Sequence, residues 1–439
     1  MPLAHLLLAP ATAPCDTTCA HDSGVTMTAV SNQQATAHTY DGPAASDSVP
    51  ARWRRVASID VVRGLAMVLM AIDHVRVYSG QPAGGPTPGI FFTRWITHFV
   101  APAFLFLAGT GAYLYGRKVN DRAVLSRFLV TRGLWLVLLE LTVLRVAWTF
   151  NFDFAHYLLA GIIWMIGWCM VIMAAAVYLP VPAIAAIGVT IVALHNVTDL
   201  LSGPVHQAFA AHGANWLLKI LYFGGAVKLG GSGPPLLVLF VIVPWIGVMM
   251  AGYAFGRIME LSADRRRSIS IRLGVALTAL FIGLRFGGVY GDPRPWLDAA
   301  KHMPSFLAFL ATNKYPASLE FLLMTLGPMF IVLGLAERWR GKLAGVLSVF
   351  GRVPFFYYLL HIPTIHLAAC IVSLFREGRV DPWLLGNHPM APGPAPAGYI
   401  WSLPLLYLVY AVCVMALYFP CRWFARVKAE RRSAWLSYL

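Results

Sequence analysis

Apolar residues in this chain gather into runs of about fifteen to twenty residues separated by short polar stretches, the spacing of helices that cross a bilayer. The first run covers residues 58–79, and a second covers 98–116, entered through HFVAPAFLFLAG. Further runs follow at 134–148, 157–178, 183–197, 236–255, 271–287, 318–335, 354–375 and 400–419, so the pattern predicts an all-α bundle of ten membrane-crossing helices. Ahead of them, residues 1–50 contain no Lys or Arg, are rich in Ala, Thr, Ser, Asp and His, and show no period. That stretch is expected to be a disordered tail, leaving residues 51–439 as one transmembrane domain. The opening MPLAHLLLAPATAPC matches a signal peptide weakly, with no basic segment and a very short apolar run, and Met27 is an equal candidate for the start.

Composition agrees with the pattern. The chain is 58% hydrophobic and only 12% charged, with a mean hydropathy of +0.66, whereas a soluble domain is about a quarter charged. The formal charge of +15 would suggest nucleic acid in a soluble protein. Here the basic residues fall in short segments between runs, and no basic patch is interleaved with stacking aromatics, so nucleic acid is excluded as a partner. With the first segment placed inside, 23 of 34 basic residues lie on inner segments and 10 on outer ones, which predicts that both termini are cytoplasmic. The long outer loops 198–235, 288–317 and 376–399 carry many Trp, Tyr, His, Gly and Pro residues and are where an external substrate would be held. The cysteines have no metal-ligand or disulfide spacing and read as small apolar residues, so no metal is expected.

Candidate chemistry concentrates in the first run, SIDVVRGLAMVLMAIDHVRVYS, which carries Asp60, Arg63, Asp73 and His74. Ionisable groups in hydrocarbon are costly and point to a site. At 100° per residue Asp60, Arg63, Met67, Met70 and His74 share one stripe, with Asp73 about a quarter turn away. The structural alternative is that Asp60 and Arg63 cap and anchor one end while Asp73 pairs with Arg76. His98 follows Arg94 by four residues at the start of the second run, at a depth similar to His74. A His74/His98/Asp73 cluster is therefore expected, in which one imidazole is a general base and Asp73 orients it. The alternative for His98 is an interfacial histidine facing water.

Three other places carry charge or imidazole. In GRVPFFYYLLHIPTIHL, Pro354 suits a first helical turn and Arg352 stands just before it, either to meet an anionic ligand or as a cytoplasmic anchor. His361 lies four residues beyond Tyr357 on one face, as a site residue or a hydrogen-bonded structural one, while His366 points elsewhere. Glu140 and Arg145 are expected to form a buried structural ion pair. Lys314 and Tyr315 stand at the outer mouth of the eighth run with Glu320 a turn inside, forming either a sugar site or an interfacial anchor. No nucleotide-binding, kinase or serine-hydrolase signature occurs in a credible context, and GTGAYLYG reads as close helix packing rather than a phosphate loop.

Taken in order, SIDVVRGLAMVLMAIDH, TRWITHFVAPAFLFLAG, NKYPASLEFLLMTLGP, FGRVPFFYYLLHI and the terminal WLSYL resemble the bacterial relatives of heparan-α-glucosaminide N-acetyltransferase, from about residue 52 to residue 439. The resemblance implies a ten-helix transmembrane acyltransferase of the bacterial cytoplasmic membrane. It would move an acyl group, acetyl above all, from cytoplasmic acyl-CoA to an amine or hydroxyl of an external glycan or small acceptor. It also implies a functional pair, an Asn near the outer end of the first core helix and a His in the following loop. His74 takes the Asn position or lies next to it, His98 takes an acidic position, and the loop 80–97 holds no histidine. The acyl-CoA phosphates are expected to meet Arg63, Arg352 or the Arg117/Lys118 pair, and the acceptor to meet Arg94, Lys314, Tyr315, Glu320, His361 and Tyr357. Expected partners are membrane lipid, acyl-CoA and the acceptor, with a homodimer left open. The competing reading is a proton-coupled transporter or flippase using Asp73, His74, Glu140 and Glu320, which the missing internal repeat opposes. A structural or sensory membrane protein is the third.

Overall fold

In a computed structural model the described residues are 56–85, 87–228, 233–391, 393–431 and 436. The tail expected over 1–50, Met27, the basic residues at 52, 54 and 55, and most of WLSYL lie outside them. The chain is mostly helical. In order, α1 (Ala57–Tyr78) leads through a Gly/Pro loop to α2 (Pro88–Trp95) and, after one 3-10 turn, α3 (Val100–Val119). Then come α4 (Arg122–Leu139), a π turn (Glu140–Leu144), α5 (Arg145–Thr149), β1 (Leu158–Ala160), α6 (Ile162–Ala176) and α7 (Val181–Leu194). Short helices α8 (Val197–Leu200), α9 (Ser202–Ala211) and α10 (Asn215–Leu218) precede β2 (Gly225–Lys228), β3 (Pro235–Val238), α11 (Val243–Phe255) and α12 (Ala263–Gly287). The chain closes with α13 (Trp296–Ala299), α14 (Ser305–Leu310), α15 (Leu319–Ala336), α16 (Lys342–Arg352), α17 (Pro354–Glu377) and α18 (Leu403–Glu430).

Six helical segments among the described residues are long and apolar enough to cross a membrane: Pro88–Val119, Val181–Leu200, Ala263–Gly287, Leu319–Ala336, Pro354–Glu377 and Leu403–Glu430. The protein is thus a multi-pass membrane protein. The other four expected runs are helical at least in part but fail that measure for physical reasons. Charge thins the apolar content of α1 and α4, and α6 and α11 are short because the chain before each is β-strand. The expected helix over 236–255 therefore begins only at Val243, and residues 235–238 form β3. β3 pairs parallel to β1 and antiparallel to β2, with Leu159 opposite Leu237. Strand pairing satisfies backbone groups that an extended apolar segment would otherwise bury unmet.

The helices meet through small residues, as expected where lipid and side chain are equally apolar. A β-carbon on Gly109 would fall 2.0 Å from the Met249 carbonyl, and one on Gly252 2.1 Å from that of Phe106, so α3 and α11 touch backbone to backbone. The glycines of GTGAYLYG thus pack helices. Around α1 the same device brings in α16, which is amphipathic rather than a loop. Gly64 faces the Leu347 carbonyl and Gly351 the Asp60 carbonyl, each with room for no β-carbon beyond 1.8 Å. Ser58, on the first turn of α1, donates to Glu337, which also holds Arg266 at 2.7 Å.

Gly351→Ala should therefore destabilise the protein by about 1–3 kcal/mol through overpacking, seen as a lowered melting temperature in detergent. Gly345→Ala, on the same helix with open space around it, should be neutral or slightly stabilising. Equal melting temperatures for the two would show that α16 does not lie against α1 this closely.

Candidate active site

His74 sits one turn before the end of α1, where the groove between α1 and α17 brings it to His361. His74 Nδ1 and His361 Nε2 are 2.6 Å apart, and His361 Nδ1 lies 2.7 Å from the Tyr358 carbonyl. That carbonyl can only accept, so a neutral His361 carries its proton on Nδ1 and offers a bare Nε2. His74 then donates from Nδ1, which leaves its own Nε2 as a lone pair with no hydrogen-bond partner among the described residues. The ring is fixed by its packing. It stacks on His361 with centroids 4.8 Å apart and meets Trp148 edge-on at 4.8 Å. His361 is in turn stacked on Tyr357 at 5.2 Å.

His74 lines a cavity of about 250 Å³ together with Asp73, Arg76, Arg94, Lys314 and Tyr315. Trp148, Phe240 and Tyr358 form its apolar wall, and Leu159 of β1 and Leu239, just after β3, complete it. Asp73 is engaged by Arg76 Nε at 2.7 Å rather than by an imidazole. Arg76 also donates to the Gln81 carbonyl, tying the end of α1 to the loop. The pairing expected of Asp73 with Arg76 is present, and Lys314 and Tyr315 line the same cavity. His388, in the loop beside the cavity-lining Pro389, is fully buried, and burial lowers its imidazole to about 4.

Other candidate residues fall elsewhere. His98 is buried beside Phe321 with neither ring nitrogen hydrogen-bonded, and His361 occupies the place beside His74 that spacing suggested for it. Glu140 and Arg145 do not pair. Each finds nearer partners. Glu140 accepts from the Ile163 amide at 3.0 Å at the start of α6, while Arg145 donates to Asn151 and to the Asp153 carbonyl. Glu320 is buried against Arg285 at 2.7 Å. Arg285 also reaches Asp292 at 3.9 Å, and Asp292 accepts from the Asn313 amide and the Ser318 hydroxyl. This network holds the segment that carries Lys314 and Tyr315, so Glu320 positions the cavity wall rather than lining it.

At the opposite end of α1, Arg63 lies 3.9 Å from Asp60 and donates to the Gly351 carbonyl at 3.4 Å. Its guanidinium also faces Gly111 of α3. Arg352 is exposed at the end of α16, Lys118 is exposed at the end of α3, and Arg117 pairs with Glu260 at 2.8 Å. Sequence reasoning missed the roles of Tyr358, Trp148 and Arg285. Tyr358 acts through its backbone carbonyl, which no side-chain pattern marks, and Arg285 lay in an otherwise lipid-like run.

A family model described as heparan-alpha-glucosaminide N-acetyltransferase, catalytic, matches residues 55–285. No curated protein matches the chain. His74, Asp73, Arg94 and His98 fall inside the matched range; Lys314, Tyr315 and His361 lie beyond it.

Arg285→Met should destabilise the protein by about 3–5 kcal/mol, because it strands two buried carboxylates. Adding Glu320→Leu should recover part of that loss in a double-mutant cycle of melting temperatures. Additive losses would show that the two side chains do not interact.

Proposed function

The chain belongs to the heparan-α-glucosaminide N-acetyltransferase catalytic family, a match over just over half its length, and from that premise we propose that it is a membrane acetyltransferase. The acetyl group comes from acetyl-CoA bound at the Arg63 end of α1, and the acceptor is an amine or hydroxyl of a sugar or small molecule in the cavity at the His74 end. The observation that carries this reading is the His74–His361 hydrogen bond beside that cavity.

Acetyl-CoA supplies a thioester, a carbonyl open to attack by an amine or hydroxyl. His74 Nε2 accepts the acceptor's proton as the acceptor nitrogen or oxygen bonds to the acetyl carbonyl carbon; the carbon–sulfur bond then breaks, and the thiolate leaves as the free thiol of CoA, taking the proton back from the imidazolium. The positive charge that develops on His74 is met by His361 Nε2 and relayed as a hydrogen bond to the Tyr358 carbonyl, with no second proton transfer needed. Arg63 and Arg352, with Arg117 and Lys118 nearby, fit the phosphates of a nucleotide. Arg63 and His74 are eleven residues apart on one helix, roughly 16 Å of rise, a gap suited to an extended pantetheine arm. The excess of basic residues at the Arg63 end supports a cytoplasmic donor side, both termini inside, and a bacterial cytoplasmic membrane as the setting.

The test is transfer of labelled acetyl from acetyl-CoA to glucosamine by protein reconstituted in vesicles. His74→Ala should lower turnover by about 10²- to 10⁴-fold. His361→Leu should fall nearly as far, while His361→Gln, whose amide oxygen can accept the Nδ1 proton, should retain much more. Wild-type turnover in folded His74→Ala would remove His74 as the base.

A further inference from the structure

The cavity holds more positive charge than its own carboxylates can meet. Three cations line it, Arg76, Arg94 and Lys314, with two carboxylates, Asp73 and Glu140. Asp73 is taken by Arg76 at 2.7 Å. Glu140 is turned to the Ile163 amide at 3.0 Å. Neither Arg94 nor Lys314 has an ion pair among the described residues. Arg94 donates to the Ala83 carbonyl, and its Nε is buried with no partner. Lys314 is 9% exposed, and its ammonium makes no hydrogen bond among the described residues, lying 5.3 Å from the Tyr315 ring centre. His98, four residues beyond Arg94, keeps both ring nitrogens buried and unpartnered among the described residues.

A buried, desolvated cation is costly unless an anion meets it. Lys314 is not carried there by accident of packing, because its segment is held in place by the Asp292, Asn313 and Ser318 contacts. A guanidinium and an ammonium converging on one small cavity suit an oxyanion, the first as a planar fork and the second as a point charge. Resting on the reading of this cavity as the acceptor site, we infer that the acceptor carries an anionic group, a sulfate, phosphate or carboxylate, seated between Arg94 and Lys314. Its amine or hydroxyl then faces His74 Nε2 across the cavity, so the two cations select the acceptor and set its orientation.

The full-length protein in vesicles, given labelled acetyl-CoA, is compared on glucosamine, glucosamine 6-sulfate, glucosamine 6-phosphate and muramic acid. At least one anionic sugar should show a KM about tenfold below that of glucosamine, equivalent to about 1.4 kcal/mol, and which one distinguishes sulfate, phosphate and carboxylate. Lys314→Gln should bring that ratio close to one, and Lys314→Arg should preserve it. Equal KM for neutral and anionic sugars, or a ratio that survives Lys314→Gln, overturns the inference while leaving acetyl transfer standing. Should none of these sugars be acetylated, equilibrium binding of each anionic sugar against glucosamine decides the anion site by itself. Equal binding overturns it, and tighter binding of an anionic sugar, lost in Lys314→Gln, upholds it.

Discussion

An ionisable side chain inside an apolar bundle is costly unless a partner meets it, and that requirement organises α1 at Arg63, Asp73 and His74. Asp73 is met by Arg76, His74 by His361, and Arg63 by Asp60 and the Gly351 carbonyl. Each partnership recruits a particular element. α17 is needed to bring His361, and α16 can deliver the Gly351 carbonyl only because glycines let it lie backbone to backbone on α1. Close packing and charge compensation are thus one arrangement, since removing the glycine contact would withdraw a polar partner as well as a neighbour.

The same rule explains the parts that do not touch the cavity. Arg285, Glu320 and Asp292 form a buried cluster whose outer contacts fix the Asn313 and Ser318 backbone region, and so the loop carrying Lys314 and Tyr315. Rigid support of a site residue by a satisfied polar network is more dependable than a loop left to solvent. The three-stranded sheet plays a similar part. It spends no helix on the stretch around the cavity, yet leaves its backbone paired while offering Leu159, with Leu239 just beyond β3, as wall. Within the proposed reaction, these supports hold the acceptor pocket against a base whose ring is locked by two aromatic contacts and a hydrogen bond.

Much of this was legible from residue order. Charges at Asp60, Arg63, Asp73 and His74 in an apolar run marked α1, because hydropathy alone makes such groups conspicuous. The i to i+4 spacing of Tyr357 and His361 put both on one face, and the structure stacks them. The helix that spacing suggested over 236–255 failed at its start, because a short run of Leu and Val suits a strand as well as a helix. Glu140 and Arg145 failed for a different reason, since each is met by a partner from another segment, the start of α6 for Glu140 and residues 151–153 for Arg145.

The sequence by itself determined which segments are apolar, where charge enters them and on which helical face it lies, because hydropathy and the 3.6-residue turn are local properties of the chain. Only the tertiary structure decided that His74 meets His361 rather than His98, and that Lys314 reaches the same cavity as Arg94. Those partners are separated by hundreds of residues, and their meeting depends on which helices pack side by side, which local periodicity does not encode.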